Sequence, residues 1–233
     1  MNFRTEAGRS HYYTARETAA APVLVGAQPE KFLFYRGVGM FPPPLTAVAN
    51  PDGSVAVRSV RGLRIGDVVF FENRRGAMAA TAHTLERPDA VLPRPELEDA
   101  SGAPLRELAQ LLVKNGLYEK EAQAMVKTWS GDWFGDEGTR VLYIVPNAVT
   151  TDFLPIRIDP KPETLVRVLV GRHDVLTPEK EKDVDALVKQ LNSDSNALSQ
   201  AADRILNQMG RYRFAAQNAA ASREKSRNRT RRD

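Results

Sequence analysis

The sequence predicts an α+β fold: an antiparallel β-sandwich-like domain with an inserted helical hairpin and a C-terminal helical pair. Three observations carry this reading. Short apolar runs rich in β-branched and aromatic residues alternate with Pro, Gly, Asn and Asp turn signals. No strand–helix–strand rhythm occurs, which argues against a parallel sheet. Two separate blocks instead repeat apolar residues at helical spacing.

The N-terminal stretch offers short strand candidates at residues 11–17 and 22–25. Residues 31–36 (Lys31, Phe32, Leu33, Phe34, Tyr35, Arg36) are apolar on both faces, the pattern of a strand buried on both sides. Gly37 and Gly39 break it, and Pro42-Pro43-Pro44 enforces an extended connector without backbone donors. Residues 45–49 and 54–60 flank Asn50-Pro51-Asp52-Gly53, which predicts a hairpin with Gly53 at positive φ. A second hairpin is predicted from residues 67–72 and 77–84 around Asn73-Arg74-Arg75-Gly76, with Val68-Val69-Phe70-Phe71 apolar on both faces.

Residues 87–103 read as a loop carrying Pro88, Pro93 and Pro95. The helical insertion is expected at 104–129. Pro104 opens it, Leu105, Leu108, Ala109 and Leu112 make the first stripe, and Gly116 ends the first helix. Ala122, Met125, Val126 and Trp129 make the second stripe. Strands then return at 139–145, 154–158 and 165–170, with Val166, Val168 and Val170 on one face and Arg167 outward. The count is roughly nine or ten short strands, with turn signals at intervals that suggest a sandwich. Thr177-Pro178-Glu179 starts the C-terminal pair, whose stripes are Val184, Leu187, Val188, Leu191 and then Leu198, Ala201, Ala202, Ile205, Leu206, Met209. The domains are thus a β-rich unit at 1–175, the helical pair at 176–216 and a basic, disordered tail at 217–233.

Composition excludes several chemistries. The chain has no cysteine, so it holds no disulfide, thiolate metal site or thiol nucleophile. His11, His83 and His173 fall on separate elements, so no metal site is expected, and no cofactor loop is found. The net charge of +4 and pI near 9.4 trace to residues 211–233, where eight basic residues face two acidic ones; the preceding residues sum to −2. A basic face for specific nucleic-acid binding is therefore not expected. No apolar run approaches the ~20 residues that span a bilayer, and the first residues lack the apolar core of a signal peptide.

One segment invites a site. Residues 129–138 hold both tryptophans, Asp132, Asp136 and Glu137, and three glycines. Trp129 continues the helical stripe and is expected in the core. Trp133, beyond Gly131, is expected outside the helix as an exposed stacking platform for a glycan. Asp132, Asp136 and Glu137 are the candidate ligand-binding carboxylates, or the acid–base groups of a hydrolase acting on a glycan or ester.

Two resemblances add to this. Residues 184–195 and 201–210, two apolar helices around an Asn/Ser/Asp turn ending in Gly, resemble one degenerate HEAT-type repeat. Residues 11–18, 30–39 and 137–146 are similar to a family of bacterial proteins of no known activity that often carry an export signal. This resemblance implies a periplasmic or envelope location; without it the missing leader implies the cytoplasm. The leading expectation is a non-enzymatic binding or scaffolding protein with a protein partner on its helical hairpins, glycan being a second possible ligand. A buried carboxylate of raised pKa in a deep cleft would favour the hydrolase. A flat apolar patch over the helices would favour the binder.

Overall fold

The structure is a computed structural model, and it describes residues 11–33, 41–96, 103–210, 212–213 and 216. Among these are nine strands and five α-helices. The tail expected at 217–233 and residues 34–36 of the expected buried strand lie outside the described residues.

Strands β3 (Leu45–Ala49), β4 (Val55–Ser59) and β7 (Asp89–Leu92) form one antiparallel sheet in the order β3-β4-β7. Strands β5 (Gly66–Arg74), β6 (Ala77–Leu85), β8 (Gly138–Val145) and β9 (Leu169–Val175) form a second, in the order β6-β5-β8-β9. The faces meet in one core: Leu45, Val55, Val57 and Leu92 from the first sheet touch the cluster of Val68, Phe70, Val141, Tyr143 and Val175 from the second. The other face of the second sheet presents Val69, Phe71, Leu142 and Ile144 to helices α1 (Ala103–Lys114) and α2 (Glu119–Ser130). The layers therefore run sheet, sheet, helices. This explains why Val68 to Phe71 lacks alternation: odd and even positions are both buried. Each such side chain, fully buried, contributes roughly 1.5–3 kcal/mol.

Turn chemistry fixes the registers. Asn50 to Gly53 closes the β3–β4 hairpin, with Gly53 at φ +84° and Asp52 accepting from the Ser54 amide at 2.9 Å. Arg75 and Gly76, both at positive φ, close β5–β6 as a two-residue turn. Gly116 at φ +105° ends α1, its amide donating to the Val113 carbonyl at 2.9 Å. In α2, Glu121 reaches back to the Tyr118 amide at 2.9 Å.

Several elements differ from the sequence reading. Residues 11–16 form a 3₁₀ helix laid on α2, not a strand: Thr14 hydrogen-bonds Thr128 and Glu17 pairs with Lys127. Lys31 to Leu33 form no strand, and Leu33 is 70% exposed. The chain instead makes a small hairpin, β1 (Val23–Val25) with β2 (Gln28–Glu30), because Gly26 at φ +62° turns it earlier. Strand β7 lies inside the expected loop, paired to β4. Residues 154–158 are not a strand. The preceding helix α3 (Asn147–Phe153) buries Val149 under the sandwich and stacks Phe153 on Phe41. Leu165 and Val166 are exposed, β9 starting only at Leu169, and Arg167 turns inward to donate to the Leu154 carbonyl at 2.5 Å.

The C-terminal pair is α4 (Pro178–Leu191) and α5 (Asn196–Gln208). Thr177 and Ser195 cap them through their side chains. Val184, Ala202 and Leu206 are buried as expected, but Leu198 and Ile205 are about half exposed. Tyr212 joins the pair to the sandwich: its hydroxyl donates to the Thr139 carbonyl at 2.8 Å and accepts from Arg140 Nε at 3.1 Å.

Two histidines make stability pH-dependent. His83 on β6 and His173 on β9 are half-buried, and burial holds both imidazoles below the ordinary value; for His173, Asp174 and a backbone contact with Ala47 oppose this only in part. Between the depressed folded value and the ordinary ~6.5 the unfolded chain binds more protons, so stability falls as pH drops through that window. Urea midpoints should decline from pH 7.5 to 5.5, within roughly one unit either side of that pKa, and the decline should flatten when both are Gln. An unchanged slope in the double variant would contradict the assignment.

Candidate functional site

Residues 129–138 do not leave the helix at Gly131. Gly131 keeps helical dihedrals (φ −61°, ψ −44°), and Gly131–Gly135 continues α2 as a π-helical turn. Trp133 therefore stays on the face of Trp129, four residues earlier. Trp133 is only 7% exposed and packs in the core with Phe134, Leu142 and Trp129, whose ring centroid is 6.4 Å away. The expected exposed platform is core. Trp129 is the less buried of the two, half-covered at the edge of the same cluster with Tyr12 against it at 5.6 Å.

The carbonyls at the end of this turn lack onward helical partners, and three side chains satisfy them. Arg140 is completely buried on the helix-facing side of β8. It donates to the carbonyl of Trp133 at 2.6 Å and to that of Asp136, and lies over the rings of Phe71 and Tyr212 at 5.0 and 5.3 Å. Burial pushes its guanidinium pKa down, partly opposed by Tyr212. Arg172 on β9 donates to the Asp132 carbonyl, to Asp174 Oδ1 at 2.8 Å and to Asp136 Oδ2 at 3.2 Å. Asn73 reaches the Phe134 carbonyl at 3.1 Å. Asp136 is thus held in an ion pair, Asp132 is half-buried, and Glu137 is exposed.

Asp136 and Glu137 line a cleft of about 500 Å³ between the rim of the second sheet and the C-terminal pair; Asp132 and Trp133 do not. The opposite wall was not anticipated. Glu72, 3% exposed, accepts from Arg74, from Arg94 Nε at 3.0 and 3.3 Å, and from Thr139 Oγ1 at 3.0 Å. Arg74 is pushed down by burial and then by the Arg94 charge. Lys180 and Thr177, at the start of α4, stand at the mouth. The signal in the sequence was a lone carboxylate, Glu72, ending an apolar run. Its arginine partner at position 94 comes from a distant loop, which no spacing could give. Asp136 and Glu72 are both engaged by arginine, so neither is placed as a free acid or base.

A second concavity lies on the helical layer. Leu105, Ala109 and Val113 of α1 and Ala122 and Val126 of α2 form the floor of an apolar groove of about 680 Å³. Gln110, Gln123 and charged ends make its rim. Leu105, Ala109, Ala122 and Val126 were read from the sequence as core stripes; Val113 was not singled out, and it is 42% exposed.

Among the described residues no helix is long and apolar enough to cross a membrane, and no three His, Asp or Glu side chains are grouped to hold a metal ion. The fold defines a mixed α+β protein of two face-to-face antiparallel sheets with a helical hairpin on one of them. Compared with models of protein families, with curated proteins and with solved structures, the chain matches none.

Proposed function

We propose that this protein is a non-enzymatic binding or scaffolding protein that holds an amphipathic helix of a protein partner in the groove between α1 and α2. The observation that carries the reading is the groove itself. Its α1 wall repeats at i, i+4 and i+8, and its α2 side is bounded by the buried Ala122 and Val126 with the exposed Gln123 and Lys127 beside them. Such rows are the grooves into which a third helix lays its own ridges. The wall spans roughly 12 Å, about two helical turns, at 1.5 Å per residue. An apolar floor under a polar rim matches the core-and-rim pattern of a recognition surface. The envelope location implied by the family resemblance is part of the proposal, and fractionation of the source cell tests it.

The binding test uses a photo-reactive residue at Gln110 or Gln123 in the full chain inside the source cell. A cross-link to an amphipathic helical segment of one protein, lost with Ala109→Glu, is the expected result. No cross-link, the same cross-link from Lys182 on α4, or adducts only between copies of this chain would overturn it.

A further inference from the structure

We propose that the cleft between the second sheet and the C-terminal pair binds a small amphiphilic anion, a carboxylate or phosphate head group carrying a short apolar tail.

At the β5 wall two guanidiniums, Arg74 and Arg94, share the single carboxylate of Glu72. Glu72 is the carboxylate that both of them hydrogen-bond, and the exposed Glu179 is a second acid within electrostatic reach of Arg94. Arg94 uses only its Nε on Glu72; its two terminal nitrogens have no partner among the described residues. They form the free end of a planar fork, the geometry that accepts an oxyanion through two parallel hydrogen bonds. The Arg94 side chain passes beside Gly53, where a Cβ would leave it no room. Lys180 adds a second cation at the mouth, beside the positive end of the fourteen-residue helix α4. Glu72 lies under the arginines, Asp136 shares Arg172 with Asp174, the exposed Glu137 also lines the cleft, and the exposed Glu179 is within electrostatic reach of Arg94.

Part of the remaining wall is apolar. Val175, Leu176, Ile205 and Met209 line that part, and Ile205, beside the buried Ala202 and Leu206 of α5, is 47% exposed. An apolar tail would cover that side chain while the head group reached Arg94. A volume of about 500 Å³ is in the range of small-molecule sites. The cleft shares no lining residue with the α1–α2 groove, so the two proposals stand separately.

The test is titration calorimetry of the full chain with octanoate and octyl phosphate, against 1-octanol and inorganic phosphate. At least one amphiphilic anion should bind, more weakly as salt is raised, and octanol should bind about tenfold less well or not at all. Arg94→Gln should weaken binding by about tenfold, the order expected from losing a charged hydrogen bond, while Lys180→Gln weakens it less. Glu72 keeps Arg74 and Thr139 in the Arg94 variant, and an unchanged melting temperature verifies the fold. Ala109→Glu, which blocks the groove, should leave binding intact. Octanol binding as tightly as octanoate, inorganic phosphate as tightly as octyl phosphate, no binding at all, or an unchanged affinity in both cation variants would each overturn the proposal.

Discussion

Replacing Arg140 with alanine is expected to destabilise the protein by about 3–5 kcal/mol, the range for breaking a buried charged network. The side chain is fully buried and donates to the carbonyls of Trp133 and Asp136 and to the Tyr212 hydroxyl. Alanine leaves those carbonyls in a dry site, each costing roughly 1–3 kcal/mol when unpaired. It also empties the space between the rings of Phe71 and Tyr212. Arg140→Lys should recover only part, because an ammonium cannot fork to two carbonyls and a hydroxyl at once. The measurement is the urea midpoint at constant slope. A loss below about 1 kcal/mol, the size of an ordinary surface change, would show that the π-helical turn is held by other contacts.

Trp133→Ala should cost about 3–5 kcal/mol, the range for emptying a large aromatic site in a core. Trp129→Ala should cost less, because Trp129 is only partly buried, at the margin of the cluster that encloses Trp133. The order is the reverse of the one that helical spacing alone predicts. Guanidinium denaturation of the two variants ranks them directly. If Trp129 proves the costlier, the continuation of α2 through Gly131 is wrong.

These two residues mark where reading a linear pattern stops working. Gly131 has the composition of a helix end, and the expectation for Trp133 rested on that. Glycine permits a helix end without requiring one, and the buried carbonyl acceptors for Arg140, Arg172 and Asn73 decide the matter. Those donors lie on three different strands, and no local pattern brings them together. Of the four candidate residues, Asp136 and Glu137 do reach a cleft. They were singled out for proximity to tryptophan, whereas their cleft is made by Glu72, Arg94 and Lys180.

By itself the sequence determined what depends on neighbours in the chain. The α+β class, the hairpins at Gly53 and at Arg75-Gly76, the α1–α2 insertion with its glycine stop and the capped start of α4 all follow from turn dihedrals and helical period. The run at Val68 is apolar on both faces in the sequence, and the structure buries both of its faces. Only the tertiary structure decided what depends on distant partners. The pairing of β7 with β4, the burial of Trp133 and Arg140, and the sharing of Glu72 by two arginines each join residues from separate parts of the chain. Burial and charge pairing act through space, so their sites take shape only once the sheets have closed on one another.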